Sequence, residues 1–112
     1  MMNKTMNTGR LTKDVKIIKH NGRDSATAYL TVAVQDNFAT KGEYLTQFIP
    51  MQTYLKSNQI AYFEKLAKGD LVEVEGLLKS ATWAKDGGTV HELQVHIESI
   101  RVLAKAKQTA NA

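Results

Sequence analysis

Rings and lysines are what this sequence offers for chemistry, and the rings concentrate in Tyr44–Tyr54. Side chains alternate across a strand with period two. That period puts Leu45, Ile49 and Met51 on one face and Tyr44, Phe48 and Tyr54 on the other. One apolar face is enough for a core, so a second face of rings calls for a partner. Flat rings in water beside lysines suit an unpaired nucleic-acid strand, because every base offers a π-face for stacking. A second core or a subunit contact would cover the same rings, and the strand alone leaves both readings open.

Other chemistry finds little support. The chain has no cysteine, so it has no disulfide, thiolate nucleophile or cysteine-type zinc site. His91 and His96 are five apart on a strand and face opposite ways, poor geometry for one metal. His20 precedes a turn and reads as solvated. No glycine-rich phosphate loop, nucleophile elbow or spaced carboxylate pair occurs. The expectation is a protein with no enzyme activity, no metal and no cofactor. The formal net charge of +4 over 112 residues is a weak pointer to nucleic acid by itself. Its placement says more. Lys4, Arg10, Lys13, Lys16, Lys19 and Arg23 face one acid, Asp14, in the first 23 residues, and Arg101, Lys105 and Lys107 follow the last acid, Glu98.

The length fits one domain. No apolar run is long enough to span a membrane, and the first residues lack a secretory signal core. A cytoplasmic protein is expected. Val15–His20 reads as a strand meeting a tight turn at Asn21-Gly22, a strong hairpin signal. Ala26–Gln35 follows as a strand, with Ala26, Ala28, Leu30, Val32 and Val34 inward and Thr27, Tyr29, Thr31 and Gln35 outward. A polar loop, 36–43, carries Phe38 and leads into the aromatic strand. Ile60, Phe63, Leu66 and Ala67 then recur at helical spacing. They predict a helix over 58–68, capped by Ser57 or Asn58 and ended by Gly69.

Leu71–Lys79 returns to period two, with Val72, Val74 and Leu78 inward and a bend or bulge at Gly76. Continued past Ser80, that register places Trp83 on the outer face with Lys79. Asp86-Gly87-Gly88 is the next turn. Leu93, Val95 and Ile97 alternate before Ile100 and Val102 switch parity, which predicts a bulge near Glu98-Ser99. Three strands, a helix and two strands suit an all-β chain closed as a five-stranded OB-fold barrel, with one short helix between strands 3 and 4. The domain is expected over 1–103, and 104–112 as a flexible basic C-terminal tail.

The ordered set of motifs resembles bacterial-type single-stranded DNA-binding proteins. It comprises Gly9-Arg10-Leu11-Thr12-Lys13-Asp14, Asn21-Gly22, Leu30–Val34, Phe48-Ile49-Pro50, Tyr54-Leu55-Lys56, Lys68–Leu78, Thr82-Trp83 and Asp86-Gly87. The likeness runs from about residue 6 to 103. It implies the same barrel and sequence-nonspecific coating of single-stranded DNA in replication, recombination or repair. It also implies stacking by Phe38, Phe48, Tyr54 and Trp83. Phosphates would be met by Arg10, Lys13, Lys41, Lys56, Lys79 and Lys85, which lie nearest the expected groove. Tyr29 and Tyr44 also face outward, toward DNA or a subunit contact.

The resemblance further implies a homo-oligomer, with a tetramer favoured over a dimer, and replication proteins as further partners. Two departures stand out. The family's acidic, aromatic C-terminal tip has no counterpart here, which points to a plasmid, phage or other accessory member. The aromatic strand has phenylalanine and tyrosine where tryptophan is common, so stacking should be weaker. A rival of another class is a protein-interaction adaptor on the same barrel, similar to primosomal replication-restart proteins. Binding of structured RNA is a third reading.

Overall fold

In a computed structural model describing residues 1–106, six strands and one helix follow each other along the chain. They are β1 (Thr5–Leu11), β2 (Lys16–Lys19), β3 (Ser25–Gln35), β4 (Thr46–Lys56), α1 (Ser57–Glu64), β5 (Leu71–Lys85) and β6 (Gly88–Ala104). The sheet order is β1-β5-β6-β4-β3-β2, and β1 also pairs with β3. That last pairing closes a ring of five strands, the expected barrel. β2 continues past the closure on β3, so β1 and β2 act as two arms of one bent first strand.

β1 is the element that periodicity misses. Its inward positions are Thr5, Asn7, Gly9 and Leu11, and only the last is a large apolar residue. β3 behaves as its pattern predicts, with Ala26, Ala28, Leu30 and Val32 buried. Met51 and Leu55 of β4, Val72 and Val74 of β5, and Val95 and Ile97 of β6 join them in one core, capped by Phe63 of α1 and by Leu66. The helix is shorter than expected. Its N-cap is Lys56, whose backbone N–H donates to Gln59 Oε1 at 2.9 Å, so neither Ser57 nor Asn58 holds that position. β4 begins at Thr46, which leaves Tyr44 and Leu45 exposed in the preceding loop; Leu45 is not a core residue.

The β5–β6 hairpin outgrows the barrel. Its two-residue turn has positive φ at Asp86 (50°) and Gly87 (78°), the type I′ geometry that suits the strand twist. Leu78 and Leu93 point to the predicted side, but the barrel wall has ended there and Leu93 is 65% exposed. The predicted bulge is present. Glu75 faces Ser99 and Gly76 faces Ile97, so Glu98 has no opposite residue. The Asn21-Gly22 hairpin differs in detail: four residues separate His20 from Ser25, whose backbone groups bond at 3.0 Å. His20 is half-buried rather than solvated, its ring nitrogens 2.8 Å from Ser25 Oγ and 2.9 Å from Thr27 Oγ1.

The described end of the chain is tied down. Asp70 is fully buried. It accepts from the N–H groups of Ala67 (3.0 Å) and Ala106 (2.8 Å) and from Lys105 Nζ (2.6 Å). β6 reaches Ala104, and Lys105 and Ala106 are held by Asp70; the rest of the expected tail, residues 107–112, lies outside the described residues. Burial raises the Asp70 pKa, but the Lys105 ammonium and the two N–H groups more than offset this and hold it below its usual 3.8. The carboxylate's stabilisation is therefore complete above the unfolded-state value and is lost as pH falls through the lowered native one. Asp70→Asn should cost about 2 kcal/mol near neutrality, as expected for hydrogen bonds to a charged group. In thermal melts taken down to strongly acid pH, the gap between variant and wild type should close.

Candidate nucleic-acid interface

Register across the strands fixes what the outer face of the barrel carries. One row runs Lys16 (β2), Tyr29 (β3), Gln52 (β4), His96 (β6) and Leu77 (β5), each in register with the next. A second row holds Ile18, Thr27 and Tyr54, and a third holds Arg10, Ala33 and Phe48. Phe48 and Tyr54 are six residues apart on β4, about 20 Å along an extended strand. Both rings are 66% exposed. The Tyr54 ring lies 6.1 Å from the His96 ring at 52°, a tilted pair that carries the aromatic surface from β4 onto β6. On β3 the positions beside these rings are small: Ala33 and Thr31 are half-buried, and Thr27 is buried with its Oγ1 2.9 Å from His20 Nε2.

The remaining ring positions sit on the two projecting hairpins. Phe38, 83% exposed, belongs to the β3–β4 loop, which a 2.8 Å bond from Asp36 N–H to Leu45 O narrows at its base. Lys41 is near the tip, where Thr40 and Glu43 bond to each other and Lys41 and Gly42 have positive φ. Trp83, 41% exposed, shares its β5 face with Lys79 and Lys85 and stands opposite Val90. The barrel face thus carries Phe48 and Tyr54, while Phe38 and Trp83 ride on separate hairpins.

The cations divide likewise. Lys13 and Lys16 line a groove of about 180 Å³ with Tyr29, Thr31, Pro50 and Gln94. Lys79 is in register with Gln94 at that groove's edge. One acid, Glu92, also lines it and accepts from Gln94 Nε2 at 3.0 Å. Lys56 is exposed at the end of β4, on the Tyr54 face. Arg10 lies in the Phe48 row, but its guanidinium already donates to Gly69 O at 2.9 Å. Among the described residues no group of three or more histidines and acids could hold a metal ion. No helix among them is long and apolar enough to cross a membrane.

Sequence reading passes over two residues of this face. Lys16 is not among the cations expected at the groove; a two-residue Asn-Gly turn would set it opposite Thr27, whereas the longer loop sets it opposite Tyr29, with which it lines the groove. His96 is missed because its neighbour Tyr54 comes from a parallel strand 42 positions earlier, through a pairing of only two residues. No local signal announces that contact; the Asn-Gly loop length was the only available clue to the first.

Comparison with known proteins places the whole chain in a family. Residues 2–103 match the model of the single-strand binding protein family. The chain is 34% identical to a single-stranded DNA-binding protein of Caldanaerobacter subterraneus subsp. tengcongensis, covering 92% of this chain and 69% of that one. It is 33% identical to single-stranded DNA-binding protein 2 of Clostridium acetobutylicum, covering 96% and 81%. Its fold is similar to that in the structure of a Plasmodium falciparum SSB complex with ssDNA, with a TM-score of 0.79 and 22% identity over 92% of this chain and 96% of that one. An OB-type ring with an uncovered aromatic and basic face, matched over nearly its whole length by one family model, belongs to the single-strand binding protein family.

Proposed function

We propose that this protein binds single-stranded DNA on the outer face of its barrel and coats it with little sequence preference, in replication, recombination or repair. The observation that carries the reading is the pair of exposed rings on β4, Phe48 and Tyr54, on a face that also holds Lys16 and Lys56. Bases stack on the rings, and phosphates are neutralised by Lys13, Lys16, Lys56 and Lys79. Phe38 and Lys41 on one hairpin, and Trp83 and Lys85 on the other, extend the track. Arg10 is a weaker contributor, because its guanidinium must leave Gly69 O to reach a phosphate. The binding domain is the barrel over 1–103, it acts in the cytoplasm, and it assembles as a homo-oligomer, with a tetramer favoured. No covalent step enters this mechanism, so no enzyme activity is assigned.

Trp83 is the only tryptophan and reports on the reading directly. Oligo-dT should quench its fluorescence, and duplex DNA of equal length should not. The logarithm of the binding constant should fall with the logarithm of salt concentration by about 0.7 per phosphate neutralised. A folded protein whose Trp83 emission ignores both ligands, with no complex in a separate gel-shift measurement, would overturn the proposal and favour the adaptor reading.

A further inference from the structure

Gln52 and His96 face each other where β4 and β6 close the ring, in a parallel pairing of only two residues. We propose that His96 is a phosphate contact that engages as the imidazolium, so that single-strand binding takes up a proton from solvent at this position; this rests on the single-strand-binding reading above. The contact is indifferent to base identity, because phosphate contacts carry no sequence information.

The position is central to the face. His96 stands in the outer row with Lys16, Tyr29, Gln52 and Leu77. Lys16 lies three strands away along that row, about 14 Å at the usual strand spacing. Only Tyr29 and Gln52 stand between them, so this stretch holds no lysine or arginine. On the other side the Tyr54 ring lies 6.1 Å from the His96 ring. Gln94, two residues before His96, lines the groove that holds Lys13 and Lys16. A strand stacked on Tyr54 and running to that groove crosses His96.

The ring is half-buried. Its Nδ1 is enclosed with no hydrogen-bond partner among the described residues, whereas Nε2 is not enclosed. Buried polar atoms in folded proteins are mostly paired, and an exception asks for a reason. Nε2 is the nitrogen open to a ligand. Imidazolium donates from both nitrogens and carries a positive charge, and a charge-assisted bond to phosphate is stronger than a neutral one. The groups around the ring leave that charge unmatched. Its own strand carries Gln94 and Glu98, β4 presents Gln52 and Tyr54, and β5 presents Leu77 flanked by Glu75 and Lys79. Glu75 pairs with Lys4 at 3.6 Å. Among the described residues no carboxylate forms an ion pair with His96. The other two histidines are engaged by hydroxyls, His20 by Ser25 and Thr27 and His91 by Thr82 at 3.2 Å.

The test titrates the full chain with oligo-dT over a series of salt concentrations at about pH 6 and about pH 8, the range in which histidine changes charge. Trp83 quenching reads the binding. The wild type should bind more tightly at the lower pH, and its slope of log K against log salt should steepen there by about 0.7, one more phosphate neutralised. His96→Gln cannot take the proton and should show the shallower slope at both pH values. His96→Lys is charged throughout and should show the steeper slope at both. A merely structural role would weaken both variants without giving them opposite slopes. His20→Gln and His91→Gln should keep the wild-type response. A wild-type slope that ignores pH, or a pH response that survives in His96→Gln, would overturn the assignment of His96 while normal oligo-dT binding leaves the coating function standing. If a folded wild type binds oligo-dT at neither pH, both fail together.

Discussion

Phe48→Ala and Tyr54→Ala should each weaken single-strand binding by about 1–3 kcal/mol, roughly five- to 150-fold. The cost is a lost stacking platform, because neither ring contributes to the core. Both are two-thirds exposed, so truncation leaves no cavity and the melting temperature should hold. The two positions are about 20 Å apart on an extended strand, far enough for their effects to add in the double variant. The expected outcome is a loss of about 2–6 kcal/mol in titrations with oligo-dT, with an unchanged melt. A folded double variant that binds like wild type would place the bases elsewhere. Trp83→Ala is a less clean probe, since that ring is more than half covered and its loss also disturbs the hairpin face.

Gly76→Ala should be among the most damaging single methyls in the protein, alongside Gly9→Ala, whose Cβ would sit 2.3 Å from the backbone oxygen of Ala33. A Cβ at Gly76 would sit 2.2 Å from the backbone oxygen of His96 and 3.0 Å from Val95 Cγ1. The first contact is with the main chain of the paired strand, so no side-chain rotation relieves it and β5 and β6 must separate. That separation falls where the Glu98 bulge already interrupts the ladder. Overpacking of this kind costs about 3 kcal/mol or more, roughly a 10–20 °C drop in melting temperature for a domain of this size. Thermal unfolding of Gly76→Ala beside Gly87→Ala separates the causes. Gly87 has positive φ (78°) and open space around it, so an alanine there meets conformational strain alone and should cost less. Equal losses at the two positions would show that the close strand approach at Gly76 is not what demands glycine.

Much of the candidate site was legible because it depends on period two. The parity of Phe48, Tyr54 and Lys56 is a property of one strand, and so is that of Lys79, Trp83 and Lys85 on another. The bulge at Glu98 was legible for the same reason, since Ile97 and Ile100 cannot both face the core along a regular strand. β1 was not legible, because three of its four inward positions are threonine, asparagine and glycine. Leu78 and Leu93 were read with the correct parity and the wrong environment: parity names a side of the sheet, and only the closed ring decides where that side stops being an interior.

By itself, then, the sequence determined the all-β class, the helix between the third and fourth barrel strands, and the two faces of β4. Each follows from spacings of two to four residues in the chain. Tertiary structure alone decided which residues share a row. Lys16 meets Tyr29 because a four-residue loop sets the register, and Tyr54 meets His96 because β4 and β6 close the ring in parallel. It also decided that Asp70 anchors Lys105 and Ala106 from 35 and 36 positions away. Contacts between distant positions form when the ring closes, and a local hydrophobic period carries no information about which strands will lie side by side.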